Sequence, residues 1–123
     1  SNNLINQPTI SVGSKFENPT ILNRNDAGGE RGIWNQEEIY GKWYVDVAEG
    51  HYNIKFKFIK PVEAKGRMVI ETEAIVNQLK IDEKTDFIEM KNIYLPKMTG
   101  NLIPFYMKKN KRILPFWVEM EKI

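Results

Sequence analysis

Few residues in this sequence have the type and spacing that catalysis requires. The one histidine, His51, has no second imidazole with which to hold a metal ion or complete a catalytic triad, so we interpret it as an exposed strand-start residue. The absence of cysteine excludes disulfides, thiolate metal sites and cysteine nucleophiles. Glu71 and Glu73 could form a carboxylate pair, but exposed glutamates on one strand face have the same spacing. We predict neither a catalytic residue nor a metal ligand in this chain.

The segment "NRNDAGGERG" (23–32) is rich in glycine and is predicted to be a loop. It lacks the Gly-Lys-Ser/Thr ending of a phosphate-binding loop, so its glycines indicate only a tight loop. Asn25, Asp26 and Glu30 offer oxygen atoms that could hold calcium, but their spacing matches no defined calcium loop. This segment therefore predicts no cofactor.

Aromatic side chains outside the expected core face are better candidates for binding. Such rings can stack on a sugar, and charged side chains in the neighbouring loop can hydrogen-bond to its hydroxyl or sulfate groups. The candidate ligand or interface contacts are Arg24, Asp26, Arg31, Trp34, Tyr40 and Trp117. Tyr44 also falls off the core face. The alternative is that these rings cover a second layer of the same small domain.

The length of the chain suits one domain with one core, and its net charge is too small to imply a polyanion partner by itself. The 123 residues include 18 Lys and Arg against 16 Asp and Glu, which gives a net charge of +2. The basic residues are scattered along the sequence. The densest basic cluster, "KKNKR" (108–112), is interpreted as a charged hairpin turn, so we predict no nucleic-acid partner. No apolar run approaches the roughly 18 residues of a membrane span, and none is predicted.

The elements that must position these residues are strands. The segment "GKWYVDVAEGHYNIKFKF" (41–58) alternates apolar and polar residues in two runs that are separated by a short connection containing Gly50. This pattern predicts a β-hairpin with one buried face. The predicted inward residues are Trp43, Val45, Val47, Tyr52, Ile54, Phe56 and Phe58.

Shorter alternations predict further strands before and after this segment. The predicted strands are 9–12, 20–22, 68–75, 78–81, 87–95, 102–107 and 113–120. In 87–95 the predicted inner face carries Ile88, Met90, Asn92 and Tyr94. The last two strands are predicted to form a second hairpin across the basic turn, with Leu114, Phe116, Val118 and Met120 on its inner face. Pro104 and Pro115 are expected at edges or bulges.

The predicted fold is therefore all-β: an antiparallel β-sandwich or jelly-roll-like single domain over residues 10–123. Residues 1–9 are expected to be disordered or to derive from cloning. The only helical candidate is "NQEEI" (35–39). Since the chain begins at Ser1 without methionine, we expect it to be a trimmed protein or part of a longer one.

Two segments carry a resemblance to a known family. "ENPTIL" (17–22) and "GKWYVDVAEGHYNIKFKFIKPVE" (41–63) resemble the C-terminal region of bacterial arylsulfatase-type sulfatases, particularly those of gut Bacteroidetes. In that region an Asn-Pro-x-x-Leu element precedes a Trp-x-Val-x-Val, Gly-x-Tyr hairpin that ends in Trp-Pro-x-Glu. The matching residues are Asn18, Pro19, Leu22, Trp43, Val45, Val47, Gly50, Tyr52, Pro61 and Glu63. Lys60 stands where the family pattern has tryptophan.

This resemblance implies a non-catalytic C-terminal accessory domain of a sulfatase. Sulfatases cleave sulfate esters with a formylglycine made in a Cys/Ser-x-Pro-x-Arg signature, which this chain lacks, and with calcium held in a large α/β domain. The implied partner is the catalytic domain of the same polypeptide, whose substrate entrance this domain could shape. No cofactor is implied for this chain, and calcium is expected only in the parent catalytic domain. The parent is expected to be periplasmic or secreted.

Two other functions stay open. The same strand pair is similar to that of jelly-roll carbohydrate-binding modules, so the chain could be an autonomous module that binds a sulfated or neutral glycan. A free-standing enzyme is the least favoured hypothesis, since no nucleophile, base and orienting group can be named together. For the accessory domain we also expect an exposed aromatic docking patch that includes Ile33 to Tyr40.

Overall fold

The computed structural model of the chain describes residues 9–24 and 41–123, and these residues form ten strands. The strands are β1 (Ile10–Val12), β2 (Thr20–Asn23), β3 (Trp43–Val47), β4 (Gly50–Val62), β5 (Gly66–Thr72), β6 (Val76–Ile81), β7 (Thr85–Leu95), β8 (Met98–Lys108), β9 (Lys111–Ile113) and β10 (Trp117–Lys122). The predicted helical segment 35–39 lies outside the described residues, as do residues 1–8.

The strands form two sheets that pack face to face. The six-stranded sheet has the order β1-β3-β8-β5-β6, with β9 also paired to β8, and the four-stranded sheet has the order β2-β10-β4-β7. Every described pairing is antiparallel except that of β1 with β3, which is parallel. The predicted fold class, an antiparallel-rich β-sandwich in a single domain, is confirmed.

The core lies between the two sheets and contains the side chains that the alternation assigned to it. The seven predicted inward residues of 41–58 are each at most 1% exposed. The other strands and the connection between β9 and β10 add Leu22, Met68, Ile70, Ile88, Met90, Leu102, Tyr106, Leu114, Val118 and Met120. Burial of each large apolar side chain contributes about 1.5–3 kcal/mol, so this inner layer supplies most of the favourable free energy of folding.

The predicted hairpin at 41–58 is wrong. β3 pairs with β1 and β8 in the six-stranded sheet, whereas β4 pairs with β10 and β7 in the four-stranded sheet. The chain crosses between the sheets at Ala48 and Glu49, where the Ala48 N–H donates to the Val12 carbonyl at 3.0 Å. Alternation determines which face of a strand is buried, but both a hairpin and a crossing to the opposite sheet bury that face.

The second predicted hairpin is correct only next to its turn. β8 and β9 pair across the turn, where Tyr106 lies opposite Ile113 and Lys108 lies opposite Lys111. The chain then leaves the sheet, and β10 joins the four-stranded sheet between β2 and β4. Phe116, which was predicted to face the core, precedes β10 and is 47% exposed, because it lies where the chain crosses between sheets.

The alternation of β7 breaks at a bulge. Ile54 pairs with Met90 and Tyr52 pairs with Ile93, so two residues of β7 lie opposite one residue of β4. Asn92 occupies this bulge with a φ of 57°, and Leu95 rather than Tyr94 reaches the core. The predicted inner positions of Asn92 and Tyr94 are therefore wrong, since the extra residue moves every later side chain to the other face.

The two prolines occupy different places. Pro104 lies in the interior strand β8, opposite Ile70, between the stretch that pairs with β3 and the stretch that pairs with β9. Pro115 lies between β9 and β10, where the chain changes sheets. The prediction of an edge or a bulge agrees with this local pairing for Pro104, since residues 103–105 of β8 pair with β5 on one side and with neither β3 nor β9 on the other.

Candidate functional site

Two of the six candidate contacts, Arg24 and Trp117, lie in the described part of the chain. The other four, Asp26, Arg31, Trp34 and Tyr40, lie outside the described residues, together with the predicted docking segment 33–40 and the possible calcium oxygens at 25–30. The structure brings Arg24 and Trp117 to the same edge of the four-stranded sheet, since β2 and β10 are neighbours there.

Arg24 follows the last residue of β2 and is only 9% exposed. Its guanidinium carbon lies 5.8 Å from the centre of the Phe116 ring, within the range of a cation–π contact. Burial lowers the pKa of Arg24 from its usual value, because desolvation disfavours the charged form. The guanidinium is therefore held against an aromatic ring rather than extended into solvent.

Trp117 begins β10 and lies opposite Asn23 of β2 on one side and Lys57 of β4 on the other. Because Val118 faces the core, alternation places the half-buried Trp117 side chain on the outer face of the sheet. The Lys57 ammonium donates to Asp86 Oδ2 at 2.8 Å, and this hydrogen bond lowers the pKa of Asp86. The ring thus has on one side a lysine whose ammonium group is held by Asp86.

We call Arg24, Lys57, Phe116 and Trp117 the β2–β10 patch. The Phe116 N–H donates to the Lys57 carbonyl at 2.6 Å, which fixes the chain just before β10 and presents the Phe116 ring outward. Phe116 was not predicted as a contact residue, because the alternation over 113–120 predicts an uninterrupted strand with Phe116 on its inner face. Pro115 was the available signal that pairing is interrupted immediately before it.

Two of the residues that carry the family resemblance, Asn18 and Trp43, make hydrogen bonds between segments that are distant in the sequence. The Asn18 side chain hydrogen-bonds to both backbone groups of Lys122 at 2.9 Å. Trp43 Nε1 donates to the Asn23 carbonyl at 2.8 Å, although the two residues belong to different sheets. The first contact joins the segment before β2 to the end of β10, and the second joins the end of β2 to β3 in the other sheet.

Tyr52 makes a second connection between elements. Its buried hydroxyl donates to the Ala48 carbonyl at 2.6 Å and lies 3.3 Å from the Val12 carbonyl, at the crossing between β3 and β4. Burial raises the pKa of Tyr52 to about 12, since the phenolate would lose its hydration. Gly13, with a φ of 78°, passes so close to this ring that a β-carbon there would collide with it.

The residues that were considered for catalysis are separated. His51 is exposed at the start of β4, as predicted, and its ring centre lies 5.4 Å from that of Tyr94. The Tyr94 hydroxyl donates to Glu49 Oε2 at 2.9 Å, which raises the pKa of Tyr94. Glu71 lies within β5, but Glu73 follows the end of that strand, so the two glutamates do not share a strand face.

A pocket of about 510 Å³ lies at the β8–β9 turn. We call it the turn pocket. Its lining residues are Glu63, Tyr106, Lys108, Lys109, Asn110, Lys111 and Ile113. The Tyr106 hydroxyl donates to the Glu63 carbonyl, and Lys108 Nζ donates to the Ala64 carbonyl at 2.5 Å, so the turn is tied to the connection between β4 and β5. From the sequence alone these lysines were interpreted only as a charged hairpin turn.

Comparison of this chain with protein-family models, curated proteins and solved structures found no match in any of the three. Among residues 9–24 and 41–123, no group of three or more His, Cys, Asp or Glu side chains could hold a metal ion. The same residues include no helix of the length and hydropathy needed to cross a bilayer.

Proposed function

We propose that this chain is a non-catalytic β-sandwich domain of a sulfatase and that it packs on the catalytic domain of the same polypeptide. The supporting observation is that three residues of the sulfatase-like pattern connect separate elements of the sandwich. Asn18, Trp43 and Tyr52 each make a hydrogen bond that joins separate elements. Residues with such structural roles indicate a fold. They do not assign a catalytic function to the chain.

The β2–β10 patch is the docking surface of this proposal. Phe116 is 47% exposed and contacts Arg24, and interfaces between proteins are enriched in aromatic residues and arginine. Segment 25–40 follows Arg24 directly in the sequence and contains Ile33 and Trp34, which are part of the docking segment predicted from the sequence. Docking here would place the domain beside the catalytic domain, where it shapes the substrate entrance.

Two experiments test this proposal. The open reading frame before Ser1 is expected to encode a Cys/Ser-x-Pro-x-Arg signature within a large α/β domain. The separately expressed catalytic domain is expected to bind this chain, with at least several-fold weaker binding for Phe116→Ala. Phe16→Ala is the control, because Phe16 is 88% exposed in the β1–β2 loop and does not belong to the patch. An upstream frame without the signature, or no binding at tens of micromolar, would reject the proposal.

A second candidate function is that of a carbohydrate-binding module, and the position of Trp117 favours it. A half-buried indole on the outer face of a sheet, with Asn23 and Lys57 in register beside it, offers a stacking surface flanked by hydrogen-bonding groups. A glycan array with the wild-type chain tests this function, and Trp117→Ala is expected to abolish any signal while the fold is retained. If the array shows no binding, the carbohydrate-binding function is rejected and the accessory-domain proposal remains.

A further inference from the structure

We propose that the chain forms a two-fold symmetric dimer in which β6 pairs antiparallel with β6 of a second copy. β6 is the last strand of the six-stranded sheet, and among the described residues it pairs with β5 alone. The dimer would join the two six-stranded sheets into one continuous sheet. The inference does not depend on the proposed sulfatase origin, and it concerns a different surface from the β2–β10 patch.

The backbone of β6 presents hydrogen-bonding groups to its open side. The Ile75 carbonyl accepts from the Thr72 N–H at 2.9 Å, and the Ile81 carbonyl accepts from the Lys65 N–H at 2.8 Å, so both residues face β5. Alternate residues of a strand direct their N–H and C=O groups to the same side. The groups of Val76, Gln78 and Lys80 are therefore directed away from β5, toward the open edge.

The other edge strands of the described residues are short or protected. β1, β2 and β9 are only three or four residues long. β7 contains the bulge at Asn92 and the charged residues Asp86, Glu89 and Lys91, which are devices that prevent edge pairing. β6 pairs with β5 without a bulge, contains no proline, has one charged residue and carries a 50% exposed Val76. β6 is thus the edge that is suited to pairing with another strand.

The sequence of β6 is complementary to itself in one register. When Gln78 lies opposite Gln78 of the second copy, Val76 lies opposite Lys80 and Lys80 lies opposite Val76. Each of these three pairs can exchange two backbone hydrogen bonds, because all three residues face the open edge. No lysine lies opposite a lysine, so like charges do not oppose this register.

The charges on the outer face of the joined sheets also favour a second copy as the partner. Within one copy Lys80 lies opposite Arg67, and Val76 lies opposite Glu71. Across the dimer each row would run from Arg67 and Lys80 of one copy to Val76 and Glu71 of the other. Glu71 would then lie two strand spacings from Lys80, about 9–10 Å, with only the small Val76 side chain between them. Two basic residues of each copy would thereby approach a carboxylate of the other.

Pairing would also cover apolar surface on the inner face. A cleft of about 540 Å³ is lined by residues 79–83 and by 85–89 of β7, and the exposed Leu79 forms part of its wall. In the proposed register Asn77 of the second copy lies opposite Leu79, and Ile75 of the second copy lies opposite Ile81. The open end of the cleft would therefore be covered by the second copy.

Sedimentation equilibrium of the whole chain from about 1 µM to about 1 mM tests the dimer, because an interface of this small size is expected to dissociate within that range. Hydrogen exchange measured by NMR at low and high concentration locates the interface. The amides of Val76, Gln78 and Lys80 are expected to gain protection as the concentration rises. A chain that stays monomeric, or a dimer that gains protection only elsewhere, would overturn the proposal.

Two substitutions of Val76 separate dimerisation from folding. Within one copy residue 76 lies opposite Glu71, so Val76→Lys is expected to be more stable than Val76→Glu. Across the interface residue 76 lies opposite Lys80, so the order of dimerisation is expected to be reversed, with about threefold to tenfold weaker association for Val76→Lys than for Val76→Glu. Equal association of the two variants would contradict the proposed register.

Gln78→Pro removes the N–H donor at the centre of the interface. It is expected to weaken association at least about tenfold while the fold is retained, because this N–H faces the open edge. Ile21→Lys is the matched control for Val76→Lys, since Ile21 is a 44% exposed aliphatic residue that lies opposite Glu119 on the edge strand β2. An equal loss of association in Ile21→Lys and Val76→Lys would overturn the proposal.

Discussion

The side chain of Asn18 holds the backbone of Lys122, a residue 104 positions later in the sequence, with two hydrogen bonds. Asn18 Nδ2 donates to the Lys122 carbonyl and Asn18 Oδ1 accepts from the Lys122 N–H, each at 2.9 Å. One asparagine thereby joins the segment before β2 to the end of β10. Only an amide side chain presents a donor and an acceptor in this geometry.

Asn18→Ala is expected to lower the free energy of unfolding by about 1–2 kcal/mol, because each of two partly exposed hydrogen bonds contributes about 0.5–1.5 kcal/mol. Urea unfolding measures the change. The control is Glu17→Ala, an exposed neighbouring position, for which a change within about 0.5 kcal/mol is expected. Equal midpoints for the two variants would show that the Asn18–Lys122 contact does not stabilise the fold.

Trp43→Ala is expected to lower the free energy of unfolding by about 3–5 kcal/mol, since it removes a completely buried ring from the core. It also removes the donor to the Asn23 carbonyl that connects the two sheets. His51→Ala is expected to cost less than about 0.5 kcal/mol, because His51 is exposed. Denaturant unfolding of both variants provides the comparison, and a similar loss in each would contradict the assigned inner face.

Gly66→Ala is expected to destabilise the protein by about 1–3 kcal/mol through overpacking. A β-carbon at residue 66 would lie 2.7 Å from the Met107 carbonyl oxygen and closer still to the Tyr106 hydroxyl. Gly100→Ala is the matched control in a neighbouring strand, because its nearest contact is the flexible Glu73 carboxylate at 3.2 Å. Thermal unfolding should show a lower midpoint for Gly66→Ala than for Gly100→Ala, and the reverse order would contradict the packing described around Tyr106.

The stability of the protein is expected to fall as the pH rises above about 10. The pKa of Tyr52 is raised from 10.0 to about 12 in the folded protein, so the unfolded chain loses this proton first. The stability that protonated Tyr52 contributes is fully present below pH 10 and is lost between pH 10 and about 12.

Tyr52→Phe is the variant that tests this dependence. It is expected to be less stable near neutral pH, because it loses the hydrogen bond to the Ala48 carbonyl. Its stability is also expected to fall less steeply than that of the wild type in alkaline solution. Urea midpoints measured between about pH 9 and 11 give both slopes, and parallel slopes would show that Tyr52 does not carry the raised pKa.

The chain alone is expected not to hydrolyse aryl sulfates, with or without added calcium. The reason is the absence of a Cys/Ser-x-Pro-x-Arg signature from its sequence, without which no formylglycine can form. A chromogenic aryl sulfate assay of the purified chain measures this, with an active sulfatase as the positive control. Turnover above buffer that survives repeated purification would contradict the proposed accessory role.

The candidate site was only partly predictable. Trp117 was identified correctly as a residue off the core face, since its neighbour Val118 continues the buried alternation. Phe116 was missed because the change of sheet at Pro115 interrupts the alternation that was used to assign it. The turn pocket was missed because its lysines are separated from Glu63 by more than 40 residues, and only folding brings them together.

The sequence by itself determined the fold class and most of the core of this protein. Successive side chains of a strand point to opposite faces, so the buried faces of β3 and β4 can be identified from neighbouring residues alone. Only the tertiary structure decided that β3 and β4 belong to different sheets, that β10 lies between β2 and β4, and that Asn92 forms a bulge. The physical reason is that strand partners are selected by contacts between distant segments, whereas the alternation is a local property of the chain.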